Sequence, residues 1–206
     1  MHEGHRDRVK KRFRQEGLDH FSDIQALELL LFYGIPRVDT NPIAHALLDR
    51  FGSLSQVLEA SPEELMKVPG VGENAALLLT LIPQMGRFYM VDRSSRVTIL
   101  QTLEQCANFL VPHFFGRKVE TVFILCLDAK CKLLCCKELG EGGPNSTGVS
   151  IRKIVETAIG VNAATVVLAH NHPSGLAVPS AEDIQTTRRI AHALQAVEIT
   201  LADHII

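Results

Sequence analysis

The stretch that decides the fold of this chain reads Ala169-His170-Asn171-His172-Pro173-Ser174-Gly175 and, after three more residues, Pro179-Ser180-Ala181-Glu182-Asp183. An apolar run at residues 163–168 precedes it and predicts a buried strand. Because residues i and i+2 of a strand point to the same face, His170 and His172 are neighbours on one side of its exit. Pro173 ends the strand, since its nitrogen has no hydrogen to donate to a neighbouring strand.

Ser180 and Asp183 follow with the spacing of a helix start. Ser180 is a candidate N-cap, which places Asp183 at the third helical position, near the exit of the strand. Two imidazoles and one carboxylate form the ligand set of a zinc site with an open fourth position, the catalytic arrangement. The alternative is structural, because Ser180 and Asp183 also have the spacing of a capping box. The metal site explains all these residues together, so we expect His170, His172 and Asp183 to bind one Zn²⁺ per chain.

Composition sets limits on the function. The chain has 206 residues, 46% of them apolar, and a net charge of −2, so no global field attracts nucleic acid. It has no apolar run long enough for a membrane span, and its first residues lack the core of a signal peptide. Its five cysteines, an odd number, are poorly suited to a disulfide set. We therefore expect a cytoplasmic protein with no membrane partner.

A basic segment, Arg6–Arg14, carries six basic side chains against one acidic side chain, Asp7. We expect it to be helical. It is either the solvated face of a helix or a patch that faces the phosphates of DNA, and the sequence leaves both interpretations open.

A second candidate for a DNA contact is the run Pro69–Gly72, which contains two glycines between short helices. Glycine tolerates the positive φ of a tight hairpin and lets backbone amides approach an anion closely. The run resembles a helix–hairpin–helix, an element that binds the DNA backbone. Glu73 and the lack of a basic residue directly after the hairpin argue against this role, and the alternative is a purely structural hairpin.

The pattern along the chain predicts two domains. Residues 1–92 show helical periodicity, residues 93–98 read as a linker, and residues 99–206 mix strands with helices. Within the second domain we expect a strand that begins beside Glu120, an antiparallel return strand at residues 132–139, the histidine strand and a final strand at residues 198–206. The fold class is therefore α+β, with a small all-helical N-terminal domain.

At this point the sequence resembles a known family. The pattern His170-x-His172-Pro173, six residues, Ser180, two residues and Asp183 matches the signature of JAMM/MPN+ metalloproteases. The form His-Asn-His-Pro-Ser-Gly resembles the RadC family of bacterial JAMM-domain proteins, and the resemblance extends over nearly the whole chain. It implies a helix–hairpin–helix-like domain followed by a JAMM/MPN, cytidine-deaminase-like α-β-α domain with a mixed sheet.

The resemblance also implies roles for the site residues. It makes His170, His172 and Asp183 zinc ligands, and Ser180 a residue that helps to hold the oxyanion or the zinc-bound water. It further requires an upstream glutamate as general base, for which Glu120 is the first choice and Glu138 the second. Zinc would lower the pKa of its water to about 7 for attack on a peptide or isopeptide bond.

Three neighbouring residues are left with weaker assignments. Asn171 points away from the histidines by strand alternation, so we expect it to fix a loop rather than to bind metal. Asp203 and His204 could reach the site from the final strand, where hydrogen bonds to a ligand are their expected role. A purely structural role for this pair stays open.

The sequence leaves three functions to compare. The first is a zinc metalloprotease or isopeptidase acting on an unknown peptide or protein. The second is a DNA-associated protein, linked to DNA repair through the family name alone, whose metal site is not catalytic. The third, a metal-dependent nuclease, is disfavoured because HNH nucleases spread their residues over a ββα hairpin and not over one tripeptide.

Overall fold

The computed structural model describes residues 3–94, 99–142 and 149–206, and it divides into two compact units, Met1–Gly86 and Arg87–Ile206. The division falls inside the last helix of the N-terminal region. That helix runs to Ser94, and residues 95–98 of the predicted linker lie outside the described residues. The predicted domain limits, 1–92 and 99–206, therefore stay predictions.

Helices make up the N-terminal region. They are α1 (Glu3–Glu16), α2 (Asp23–Gly34), α3 (Asn41–Phe51), α4 (Leu54–Glu59), α5 (Pro62–Leu65) and α6 (Glu73–Ser94). A capping box between Ser22 and Gln25 begins α2, and the Ser61 side chain caps α5. The buried apolar faces of α2, α3 and α6 form a core around Leu27, Leu47 and Leu79.

Only one of the two glycines in the hairpin before α6 occupies a position that requires glycine. Gly70 has a φ of +90°, and a Cβ added there would lie 2.8 Å from Cδ1 of Ile43. This position therefore needs glycine both for its backbone conformation and for its close approach to the core. Gly72 has neither requirement, since an added Cβ would meet nothing within 4 Å.

The second unit mixes helices and strands. Its elements after α6 are α7 (Leu103–Phe114), β1 (Thr121–Leu127), β2 (Leu133–Glu141), α8 (Ile151–Gly160), β3 (Thr165–His170), α9 (Ala181–Gln195) and β4 (Thr200–Ile205). The strand order is β2-β1-β3-β4, where β1 is antiparallel to both of its neighbours and β3 is parallel to β4. The sheet is therefore mixed, which confirms the predicted fold class.

Two apolar cores lie on opposite faces of this sheet. On one face Ile124 and Leu168 pack against Ile154 of α8 and Ile190 of α9. On the other face Phe123, Leu125 and Val167 pack against α7. Every residue of β1 is buried, as expected for a strand covered on both faces. None of the helices in the described ranges is long and apolar enough to cross a membrane.

Candidate metal centre

Four side chains converge at the end of β3 where the strand leaves the sheet. Glu120, His170, His172 and Asp183 each offer one ligand atom, and these atoms all lie within 4.8 Å of one another. The two Nε2 atoms of the histidines are 2.9 Å apart. Asp183 places Oδ1 3.4 Å from Nε2 of His170 and Oδ2 3.6 Å from Nε2 of His172. This is the one such group found among the residues that the structure describes.

Strand pairing brings Glu120 to the histidines. Val122 of β1 pairs with His170 of β3, so the residue two positions before Val122 shares the face of His170. Oε1 of Glu120 lies 3.7 Å from Nε2 of His170. Glu138, the second candidate for a general base, is bonded instead to Arg117 at 2.6 Å and is not part of the group.

Asp183 is held by the start of α9. The Ser180 hydroxyl accepts from the Asp183 backbone N–H at 3.0 Å and donates to Oδ2 of the same residue at 2.6 Å. The Ser180 backbone N–H also donates to Oδ2, at 2.8 Å, which completes a capping box. The Asp183 carboxylate therefore takes part in the capping box and also lies beside both histidines. Ser180 acts on that carboxylate directly, and its predicted contact with an oxyanion or water stays a prediction.

Burial, hydrogen bonds and neighbouring charges shift the pKa values of three groups in the centre. Burial lowers the pKa of His170 to about 4, with a further contribution from His204, so this imidazole is neutral. Burial also raises the pKa of Glu120, against an opposing effect of His172. For Asp183, burial acts to raise the pKa, but the hydrogen bonds from Ser180 and the nearby histidines outweigh it and hold the pKa below its ordinary value.

The donor set fits a metal ion. Nδ1 of His172 lies 2.8 Å from the Leu176 carbonyl, which can only accept, so this nitrogen carries the ring hydrogen and Nε2 faces the centre as an acceptor. That acceptor nitrogen stands beside a second imidazole nitrogen and two carboxylates. Neutral imidazole nitrogens and carboxylate oxygens are ligands that zinc uses in proteins. The group is therefore a possible metal site.

Comparison with known proteins shows the family to which the chain belongs. Residues 100–206 match the profile of the RadC-like JAB domain, and residues 3–77 match that of the UPF0758 N-terminal region. The chain belongs to the RadC-like JAB domain family. It is 34% identical over 200 residues to a UPF0758 protein of Paraburkholderia xenovorans (strain LB400), covering 97% of this chain and 79% of that protein. A UPF0758 protein of Paraburkholderia phytofirmans (strain DSM 17436 / LMG 22146 / PsJN) is also 34% identical over 200 residues, with 97% and 77% covered.

In this RadC-like JAB domain, Asn171 is hydrogen-bonded to the backbone of the segment that carries Glu120. Its Oδ1 accepts from the Thr121 backbone N–H at 2.8 Å, and its Nδ2 donates to the Val119 carbonyl at 3.2 Å. The two contacts lie on either side of Glu120. The tripeptide His170-Asn171-His172 therefore supplies two histidines to the centre and the hydrogen bonds that hold the backbone on both sides of its glutamate.

His204 reaches the centre because of an irregularity in β4. The register between β3 and β4 shifts after Val166, so that Val167 pairs with Asp203 and Leu168 pairs with His204. A shift of one residue moves every following side chain to the other face of the sheet. It places His204 on the face of His170, with its Nε2 2.8 Å from Nδ1 of His170. Asp203 accepts through Oδ1 from the His204 backbone N–H at 2.7 Å.

Sequence reasoning missed Thr187, whose hydroxyl oxygen lies 2.6 Å from Nδ1 of His204. A signal for it existed, because Thr187 lies four residues after Asp183, and residues i and i+4 of a helix share a face. The hydrogen-bonded group therefore extends from the possible metal site through His204 to α9.

The basic segment in α1 is divided between two environments. Arg6 donates to the carbonyl of Ile35 at 2.8 Å, and Arg12 donates to that of His20 at 2.6 Å, so both of these side chains stabilise the helical unit itself. The exposed basic residues of the segment are Arg8, Lys11 and Arg14.

Proposed function

We propose that this chain is a zinc-dependent hydrolase that cleaves peptide or isopeptide bonds. His170, His172 and Asp183 would hold the zinc ion, and Glu120 would be the general base. The observation that carries the proposal is the convergence of these four side chains within 4.8 Å at the exit of β3. Three nitrogen and oxygen ligands leave a fourth position open, as in catalytic zinc sites. Bound zinc would supply a water of pKa about 7 and would polarise the scissile carbonyl.

Glu120 has the properties that a general base needs. Its side chain is 32% exposed, so solvent and substrate can reach it. Burial raises its pKa from the ordinary value, and a carboxylate with a raised pKa is a better proton acceptor near neutral pH. Its carboxylate would take a proton from the attacking water at Oε1 or Oε2 and later deliver that proton to the leaving amine. The hydrogen bonds of Asn171 would keep the carboxylate in reach of the water.

The character of a neighbouring cavity supports a polypeptide substrate. The cavity has a volume of about 300 Å³ and adjoins the centre at Asp183, and Thr187 and His204 also line it. Its lining combines apolar side chains with both signs of charge, and includes Ile184, Arg188, Asp203 and Ile206. A wall of this mixed character suits a peptide backbone with its side chains better than a small anion. The five cysteines are free thiols, which is in keeping with the reducing cytoplasm as the proposed location.

The experiment compares Glu120→Gln with the matched variant Glu138→Gln. Each full-length, zinc-loaded protein is assayed against a panel of fluorogenic peptides and isopeptide-linked conjugates. We expect Glu120→Gln to lower kcat by about 10²- to 10⁴-fold with its zinc content unchanged, and Glu138→Gln to cleave like the wild type. Wild-type protein that holds one zinc per chain but cleaves no substrate of the panel would overturn the proposal in favour of a non-catalytic metal site.

DNA binding by the helical unit is a second candidate, favoured by the exposure of Arg8, Lys11 and Arg14 on one helix. Each phosphate contact made by these side chains would add about 0.9 to the slope of log affinity against log salt. Lys11→Gln should therefore weaken binding to a random duplex and reduce that slope by about 1, while Lys130→Gln in the second unit should not. Binding that does not change with salt would reject this candidate. Arg12 is unsuited to the test because it bonds within its own unit.

A further inference from the structure

The second ring nitrogen of His170 is held by a chain of side chains. Nδ1 of His170 lies 2.8 Å from Nε2 of His204, and Nδ1 of His204 lies 2.6 Å from Oγ1 of Thr187. The Thr187 hydroxyl in turn lies 2.7 Å from the backbone carbonyl of Asp183. The chain therefore begins at one proposed ligand, His170, and ends on the backbone of another, Asp183.

The direction of each hydrogen bond follows from the last one. A carbonyl only accepts, so the Thr187 hydroxyl gives its single hydrogen to Asp183, and its oxygen is left as the acceptor for His204. Nδ1 of His204 must then carry a hydrogen. A neutral imidazole has only one N–H, so Nε2 of His204 accepts from Nδ1–H of His170. The remaining nitrogen of His170, Nε2, has its lone pair directed at His172, Asp183 and Glu120.

We propose that Thr187 and His204 are positioning residues that fix His170 in the tautomer with its hydrogen on Nδ1, which presents the Nε2 lone pair to the metal. The inference rests on the metal centre of the proposed function. Without the Thr187 hydroxyl, the His204 N–H at Nδ1 loses the side-chain acceptor that holds the hydrogen on that nitrogen. The His204 ring then gains by moving its hydrogen to Nε2, where it donates to His170. The hydrogen of His170 is displaced to its own Nε2, which blocks the ligand atom.

His172 provides an internal contrast. Its Nδ1 donates directly to the backbone carbonyl of Leu176, so no side chain is needed to fix its tautomer. His170 is 1% exposed and meets His204 instead of a carbonyl, so its tautomer depends on a partner that could itself adopt either form. Thr187 removes this ambiguity because its hydrogen is already committed to the helix backbone.

The test uses Thr187→Val, which replaces the hydroxyl with a methyl group of similar shape. Thr187→Ser restores the hydroxyl. Thr157→Val is the matched control, because the Thr157 hydroxyl makes the same contact to the carbonyl four residues earlier, Lys153, at 2.7 Å on α8. Zinc affinity of each full-length protein is measured by competition with a chromophoric chelator. Long-range ¹H–¹⁵N NMR spectra of the metal-free proteins report which nitrogen of His170 carries the hydrogen.

We expect Thr187→Val to weaken zinc binding by about 10- to 100-fold, the usual effect of removing a group that orients a ligand. Its metal-free spectrum should show His170 with hydrogen on Nε2, while the wild type, Thr187→Ser and Thr157→Val keep the hydrogen on Nδ1. A Thr187→Val protein with wild-type zinc affinity and an unchanged His170 tautomer would overturn the inference. Equal losses in Thr187→Val and Thr157→Val would also overturn it, since they would reflect a general effect on folding.

Failure of the proposed function would look different. A wild-type protein that binds zinc but hydrolyses nothing removes the proposed activity and leaves the affinity comparison intact. A wild-type protein that binds no zinc removes the metal centre, and the metal-free NMR spectra then still decide whether Thr187 controls the tautomer of His170.

Discussion

Replacing Asn171 with alanine should free the backbone that positions Glu120 in the centre while leaving the histidines in place. The carboxamide makes two contacts, one from the Thr121 N–H at 2.8 Å and one to the Val119 carbonyl at 3.2 Å. Both disappear in Asn171→Ala. The segment between them carries Glu120 and is the entry to β1, so its backbone would lose the restraint that fixes the direction of the carboxylate.

The magnitude follows from the surroundings of the two partners. Thr121 is fully buried, so its N–H is left without a partner, which costs about 1 to 3 kcal/mol. The Val119 carbonyl also accepts from the Thr121 hydroxyl at 3.1 Å, and Asn171→Ala leaves that bond in place, so the further loss is small. We therefore expect the free energy of unfolding to fall by about 2 kcal/mol. The effect on catalysis should be larger, because misplacing a reacting group by 1 Å can cost about 10²-fold in rate.

Hydrogen exchange measures the loss of the Thr121 hydrogen bond, and urea unfolding measures the loss of stability. Exchange of the Thr121 amide should accelerate in Asn171→Ala, and the urea midpoint should fall. Asn171→Asp is the matched variant, because it keeps an oxygen for the Thr121 N–H and replaces the amide donor with a second oxygen facing Val119. It should keep the Thr121 amide protected and still lose turnover. An Asn171→Ala protein with wild-type protection at Thr121 and unchanged stability would refute the proposed role of Asn171.

Three further predictions test the metal site, one core of the sheet and the hairpin before α6. Zinc at 100 times its Kd should stabilise the wild type by about 2.7 kcal/mol and raise the thermal midpoint by about 5 to 10 °C. His172→Ala should lose this shift. His20→Ala, at an exposed histidine, should keep it. Ile124→Ala removes a fully buried side chain from the sheet, so urea unfolding should show a loss of about 2 to 5 kcal/mol. Gly70→Ala, at φ +90°, should cost about 1 to 3 kcal/mol in the same assay, and equal costs for Gly70→Ala and Gly72→Ala would contradict the backbone argument.

Local rules were sufficient for the histidines and Asp183. The alternation of side chains in a strand relates His170 to His172, and N-cap spacing relates Ser180 to Asp183. Both rules act within a few residues, so the sequence alone carries them. The structure confirms Ser180 as the N-cap of α9. It ends β3 at His170 and not at Pro173, so His172 lies just after the strand. The two imidazoles still meet as predicted, with their Nε2 atoms 2.9 Å apart.

The two candidate glutamates could not be separated in this way. Glu120 and Glu138 both adjoin strands, and either could face a cluster at the edge of a sheet. The choice depends on the pairing of Val122 with His170, which lie 48 positions apart in the sequence. Pairing over such a distance is set by the packing of the whole sheet and not by the residues beside either glutamate.

His204 shows a second limit. Without the register shift between β3 and β4, Leu168 would pair with Asp203, and Asp203 would share the face of His170. The irregularity exchanges these two neighbours, so His204 takes the position instead. Such irregularities often re-aim a side chain near a functional site, and nothing in the sequence around β4 marks this one.

The proposed function depends on one metal ion among His170, His172, Asp183 and Glu120. An anomalous difference map from crystals grown with zinc, collected on both sides of the zinc absorption edge, would locate that ion directly. We expect one peak per chain, bonded to Nε2 of both histidines and to the Asp183 carboxylate, with Glu120 facing the open position. A fully occupied zinc at any other place in the chain, or no peak between the two histidines, would contradict it.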